Sequence, residues 1–421
     1  MTGGRAVRGP IQELRLENGL LLLSQEVRHA PIVSFYVWYR VGSRNEVPGI
    51  TGISHWTEHM LFKGTPTFRT GQIALLVSTH GGIWNGGTSQ DYTNYFETLP
   101  SEHLELAIRI EADRMANSLF DPEETARERT VIISEREGAE NSPWFWLSEE
   151  TMAAAFKAHP YGSPVVGWKT DLRQITREDL YRYYRTWYGP NNAIAVAVGD
   201  FETADLRERV ARGFGDIEVR PIPDGGVRTQ EPPQEGERLV TVRRPGAVPL
   251  LMLCYHVREA SDPDNLPVRV AAAVLGSGRS SRLYRALVLS GLTSHASASG
   301  SMSKDPHVLT ISATLRPGVE RERVAQVAVD EIGQLARDGV REDELAKVKR
   351  QARSSFLFST AGVTNRARMI GYYETVHTYR AFETYLDDLA KVTPEDVQRV
   401  AAAYLREDNR TTGWFVPAAA H

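Results

Sequence analysis

The chain contains a single cysteine, Cys254, so it can form no internal disulfide, and a reducing compartment suits it. Lysine is scarce: of 49 basic side chains all but 7 are arginine, a bias that carries no argument for thermostability. There is no surplus of positive charge. A net charge of −4 with 11 histidines offers no basic field for nucleic acid. Long apolar runs are missing as well; stretches such as Gly19 to Leu23 fall far short of a membrane span. Met1 to Arg8 is basic, but no apolar core follows it, so no secretory signal is expected, and the segment is too short for a transit peptide. These absences lead to the expectation of a cytoplasmic protein. At 421 residues the chain exceeds one compact core, which suggests two or three domains.

What is present is concentrated in His55-Trp56-Thr57-Glu58-His59. On a helix, residues four apart share a face one turn apart and the third neighbour lies beside them. His55 and His59 can then bind one metal ion while Glu58 faces the water completing its coordination. The spacing is H-x-x-E-H, the inverzincin order. Gly49 to Gly52 makes a flexible entry, Ser54 is a candidate cap, Met60-Leu61-Phe62 supplies an apolar side, and Lys63 to Pro66 ends the helix.

A structural zinc site closes with four protein ligands, whereas a catalytic one keeps three and leaves the fourth position to water. One ligand is still needed. Asp121-Pro122-Glu123-Glu124 predicts a helix start, with Asp121 as N-cap and Pro at the first helical position. Glu128 and Glu135 follow on one face of that helix, two turns apart. Composition does not choose among Glu128, Glu135, Glu137 and Glu140.

The run Gly52 to Thr65 resembles the active-site segment of the pitrilysin/insulinase metallopeptidases, the family that includes the mitochondrial processing peptidase. Gly81 to Tyr95, His159 to Pro164 and Tyr188 to Gly199 are similar to further segments of that family, so the resemblance covers nearly the whole chain. It implies that Zn²⁺ is held by His55, His59 and Glu135, that Glu58 is the general base, and that Glu128 supports the site. It also implies an edge strand for substrate over residues 84–88, and Gly82, Asn85, Gly86 and Gly87 are the candidate substrate-binding residues. Gly86-Gly87 stands where relatives carry Ala and a larger residue, which predicts a roomier subsite.

The stretch from Glu218 to Glu237, rich in Pro, Gly and charge, reads as a linker between an N-terminal zinc-binding domain (1–217) and a C-terminal homologous domain (238–421). The halves look duplicated. Ile175-Thr176-Arg177-Glu178-Asp179-Leu180 returns as Val392-Thr393-Pro394-Glu395-Asp396-Val397, and at the same offset Leu172 falls on Leu389 and Asn192 on Asn409. Strands such as Ile32 to Val41, Leu239 to Val242 and Leu250 to Val257 precede long helices and further strands. That order predicts two α+β domains, each a largely antiparallel sheet with flanking helices, which is also the fold the resemblance implies.

The second half has no metal motif. Arg269 to Val274 occupies the place of His55–His59, and His256, His295, His307 and His377 have no ligand spacing. The family places an Arg and a Tyr in this half, near the reacting carbonyl. They align with Val288 and Ser294, or, if the alignment slips, Arg285 or Tyr284 serves. The expectation is a zinc endopeptidase acting on peptides or unfolded chains in a chamber formed with a second homologous subunit, identical or paralogous, that supplies the Arg/Tyr pair. The alternative is a non-catalytic structural or assembly subunit of the same fold.

Overall fold

β-Branched and aromatic runs assemble two mixed sheets in the computed structural model, which describes residues 9–223 and 226–418. The basic Met1 to Arg8 stretch, two residues of the 218–237 stretch and the last three residues lie outside the described residues. The first sheet contains β1 (Gln12–Arg15), β2 (Leu21–Glu26), β3 (Ile32–Tyr39), β4 (Ile83–Thr88), β5 (Thr93–Pro100) and β6 (Ala193–Gly199), in the spatial order β1-β2-β6-β3-β5-β4. Only β2 and β6 pair in parallel. The second sheet contains β7 (Arg238–Pro245), β8 (Leu250–Val257), β9 (Thr293–Ser299), β10 (His307–Leu315) and β11 (Arg410–Ala418), in the order β7-β11-β8-β10-β9. Here only β7 and β11 are parallel. With β1 set aside, the two orders are the same.

The local signals recurring at a fixed offset reappear as equivalent structures. Thr176 and Thr393 each form a capping box, accepting from the amides of Asp179 and Asp396. The helices they start, Arg177–Trp187 and Pro394–Tyr404, end at turns closed in the same way. The Asn192 amide donates to the carbonyl of Trp187 at 3.0 Å, and that of Asn409 to the carbonyl of Tyr404 at 2.7 Å. Each turn then feeds the strand that pairs in parallel, β6 or β11.

Two faces of each sheet need covering, because alternate residues point to opposite sides. On β3, Phe35, Val37 and Tyr39 face a core that includes Ile108 and Met115 of helix α3 (Leu104–Asn117). Trp38 faces the other way, against helix Val363–Val376, where a Cβ on Gly371 would stand 2.1 Å from the indole nitrogen. On β8, Leu251, Leu253 and Tyr255 share a core with helices Asn265–Gly276 and Arg321–Asp338. Leu250, Met252 and Cys254 pack with Leu147 and Ala155 of helix Pro143–Ala155.

The covers cross the halves of the chain. One compact unit comprises residues up to Arg136, Pro164–Arg228 and Leu357–Phe382; the other comprises Glu137–Ser163, Thr229–Phe356 and the chain from Glu383 on. The division therefore passes through the stretch 218–237, which holds no helix or strand among its described residues. It also differs from a simple cut into 1–217 and 238–421, since each half lends one helix to the other unit. The reason is physical: each half supplies helices for one face of its own sheet and leaves the other face apolar.

Candidate metal centre

The first unit carries the motif on helix α1 (Ile53–Met60). Ile53, Trp56 and Met60 are fully buried and hold the helix to the core, while His55 and His59 lie on the opposite, partly open side. Ser54, read from the sequence as a cap, is instead the second helical residue, and its hydroxyl pairs with that of Tyr183 at 2.8 Å. Gly52 starts the helix in the left-handed conformation (φ 88°). A Cβ there would meet Val166 O at 2.8 Å and Gly167 Cα at 2.9 Å, so both the φ and the space call for glycine. The amides of Gly52 and Ser54 are capped by the buried carboxylate of Glu46, each at 2.8 Å. Burial pushes the Glu46 carboxyl up to about 7, against those two hydrogen bonds.

Helix α4 (Pro122–Ala139) starts as expected, with Asp121 Oδ1 accepting from the amides of Glu123 and Glu124. It is held beside α1 by the Arg129 guanidinium, 5.2 Å over the fully buried ring of Trp56. This brings Glu128 and Glu135 to the histidines. Glu135 Oε2 lies 3.7 Å from His55 Nε2 and 3.5 Å from His59 Nε2. Glu128 Oε1 sits 2.7 Å from His59 Nδ1, and its Oε2 is 2.5 Å from Lys63 Nζ. Ligand atoms of His55, His59 and Glu135 all lie within 4.8 Å of one another, which among the described residues marks one group able to hold a metal ion. Glu137 and Glu140, open alternatives in the sequence, are not part of it.

The donor set fits a divalent cation that accepts nitrogen and oxygen, with three protein ligands and an open position. A carboxylate can only accept, so in the neutral His59 ring Nδ1 carries the proton towards Glu128 and Nε2 presents its lone pair towards Glu135. Burial, helped by the nearby His59, lowers His55 to about 4 and keeps that ring neutral, the form in which imidazole ligates. On His59, burial opposes the charged form, yet Glu128, Glu135 and Glu58 together outweigh it and raise the ring above its usual value. Three carboxylates converging on two imidazoles make a negative field that a cation would satisfy.

Glu58 is buried and held by a side chain the sequence reading missed. Thr88 on β4 donates its hydroxyl to Glu58 Oε2 at 2.7 Å. Burial raises the Glu58 carboxyl above the ordinary range despite that bond. Thr88 is thirty residues away in sequence, and its only signal there is its place on the alternating edge strand. Lys63, read only as part of the helix stop, proves to clamp Glu128.

Among the described residues β4 is the last strand of its sheet and no strand pairs with its outer edge, which suits an added backbone. Of the two glycines expected to leave a roomier subsite, only one has open space around it. A Cβ on Gly86 would stand 2.9 Å from the ring of Phe62, which already fills that space; around Gly87 there is nothing within 4 Å. Gly82 is enclosed too, by Leu99 and the carbonyl of Thr98. Asn85 is exposed, and its side-chain oxygen accepts from the Gly86 amide at 2.9 Å.

In the other unit, helix Asn265–Gly276 carries buried Val268, Val270, Ala271, Ala272 and Val274, without a ligand. Val288 lies in the short π-helix Tyr284–Leu289 and Ser294 on β9, where its hydroxyl donates to Thr314 O at 3.4 Å. Arg285 lies 3.5 Å from Glu344, an ion pair it shares with Arg282.

Residues 21–169 match the family model of insulinase (peptidase family M16), and residues 174–352 that of the peptidase M16 inactive domain. The chain is 27% identical to a zinc protease of Helicobacter pylori over 96% of this chain and 93% of that one. It is 27% identical to the beta subunit of the mitochondrial-processing peptidase of Blastocladiella emersonii over 94% and 86%. A crystal structure of a Helicobacter pylori protease superimposes with a TM-score of 0.92 at 27% identity, covering 97% of this chain and all of that one. A peptidase M16 inactive domain from Pseudomonas fluorescens shares the fold, with a TM-score of 0.89 at 20% identity over 98% and 99%.

Proposed function

This chain belongs to the insulinase (M16) family of peptidases, and we propose that it is a zinc-dependent endopeptidase for extended or unfolded peptides, working with a second homologous subunit. The reading is carried by one observation: His55, His59 and Glu135 converge while Glu58 is held beside them by Thr88. His55 Nε2, His59 Nε2 and Glu135 would hold the zinc. When bound, zinc supplies Lewis acidity that activates water and polarises a carbonyl.

The remaining steps belong to the chain's own groups. Glu58, with Oε2 engaged by Thr88, has Oε1 available to take a proton from the attacking water and pass it to the leaving amine. Its raised pKa brings it closer to working pH, as a general base requires. Glu128 fixes the tautomer and orientation of His59, and Lys63 fixes Glu128. The free edge of β4 binds the peptide backbone, with Asn85, Gly86 and Gly87 closest to it, so affinity comes from main-chain bonds and side-chain preference is weak. Because Val288 and Ser294 stand where an Arg/Tyr pair aligns, the oxyanion is stabilised by a second chain, paralogous or identical.

That same departure favours the competing reading, a non-catalytic subunit of this fold. Purified protein is expected to hold one zinc per chain and, mixed with its homologous partner, to cleave unfolded peptides. Glu58→Gln should keep the metal and lose cleavage by a factor of roughly 10²–10⁴. Wild-type turnover in that variant rules out the assigned base, and full activity of the chain alone rules out the partner.

A further inference from the structure

Beneath the candidate site lies a charged cluster that the mechanism above does not use. Arg114 of α3, Glu97 of β5 and Glu111 of α3 have fully buried side chains. Arg114 Nη2 donates to Glu97 Oε1 at 3.3 Å, and Nη1 lies 3.5 Å from Glu111 Oε1. Burial, with the like charge of Glu111, pushes Glu97 well above the usual carboxylate range, and burial raises Glu111 too. Both carboxyls thus resist ionisation beside the single guanidinium. Such a cluster is a poor way to gain stability, since apolar groups of the same volume usually do as well or better. Its position offers another reason for it.

The Arg114 guanidinium lies over two rings that touch each other, 5.0 Å from the centroid of Phe62 and 4.8 Å from that of Tyr95. Phe62 follows the end of α1, lies 4.9 Å from the ring of Trp84 of β4, tilted by 52°, and fills the space over Gly86. The Tyr95 hydroxyl donates to the backbone carbonyl of Glu58 at 3.4 Å. One planar cation thus touches both the residue that sets the gap between α1 and the edge strand and the residue that reaches the backbone of the candidate base.

We propose that Arg114 is a positioning residue: clamped by Glu97 and Glu111, it holds Phe62 and Tyr95 so that Glu58 and β4 keep the spacing the reaction needs. The inference rests on the proposed peptidase reading. It does not involve the metal ligands, none of which touches the cluster. Small displacements of a catalytic group can cost on the order of 100-fold in rate, so the expected signature separates rate from stability.

The test replaces all three charges together, Glu97→Met, Glu111→Leu and Arg114→Met, in the full chain with its partner. Expected are an unchanged or higher Tm, unchanged zinc affinity in chelator competition, KM within about twofold of wild type, and kcat lowered by roughly 10- to 100-fold. Wild-type kcat in the folded, zinc-loaded variant overturns the proposal, as does an activity loss that only tracks a lowered Tm. Should the triple variant not fold, Arg114→Lys keeps the buried charge but loses the planar contact with both rings. It carries the same expectation, and wild-type kcat in it overturns the proposal. If the wild-type pair binds zinc and cleaves nothing, the peptidase reading fails by itself. The positioning role is then read from amide exchange, which should quicken over residues 58–62 and 84–88 in the variant; unchanged exchange there overturns it.

Discussion

The two units share strand order, capped helices and Asn-closed turns, yet they spend the same helix differently. In the first, α1 uses its outer face for two histidines and buries the carboxylate of Glu58. In the second, helix Asn265–Gly276 fills the matching place with Val and Ala, of which Val270, Ala271, Ala272 and Val274 are buried. An apolar helix satisfies a core with no further support. A ligand-bearing helix needs Glu46 to cap it, Arg129 to seat it, Thr88 to hold Glu58 and Glu128 with Lys63 to orient His59. The difference shows how much surrounding structure a few functional side chains demand.

The sharpest way to erase this difference is to remove a ligand. His59→Ala should abolish zinc binding and cleavage, and zinc should no longer raise the melting transition of the first unit. Metal analysis and calorimetry with and without zinc check this; retained stoichiometric zinc would displace His59 from the ligand set. Glu128→Gln is a milder change, leaving all three ligands but weakening the orientation of His59. Zinc affinity should fall roughly 10- to 100-fold, measured by chelator competition.

A third prediction concerns the cap. Glu46 is an acid whose folded value, about 7, lies above its unfolded value of 4.5. The stability associated with its protonation is fully present below the unfolded value and is lost as pH rises through about 7. The swing is roughly 3 kcal/mol, in the first unit only. Urea midpoints between pH 4.5 and 8 should show it, and Glu46→Gln should flatten it; an equal slope in that variant would assign the effect elsewhere. Smallest is Gly371→Ala, which forces a methyl against the Trp38 indole and should destabilise the first unit by about 2 kcal/mol, leaving the transition of the second in place.

Much of the candidate centre was legible in the sequence because helices encode it locally. Residues 55, 58 and 59 fall within one turn, Glu128 and Glu135 two turns apart, and Asp121-Pro122 announces the second helix. The capping boxes at Thr176 and Thr393 are equally local. Thr88, Lys63 and the ring of Phe62 over Gly86 act through contacts between elements, for which sequence has no period. Ser54 misled because a hydroxyl near a helix start is a common cap, and nothing nearby signals that Glu46 takes the amides. The exchange of covering helices was hidden for the same reason: an amphipathic helix does not say whose sheet it covers.

That exchange has a consequence for inheritance and handling. Since helix Pro143–Ala155 covers the second sheet and helix Val363–Val376 the first, neither half of the coding sequence specifies a finished unit. Translated alone, either half would expose an apolar sheet face and lack its cover. Severing the backbone within 218–237 would leave each unit woven from both fragments, so the whole polypeptide, and not the repeat from which it looks copied, is the smallest piece that can be moved intact between genomes or expression hosts.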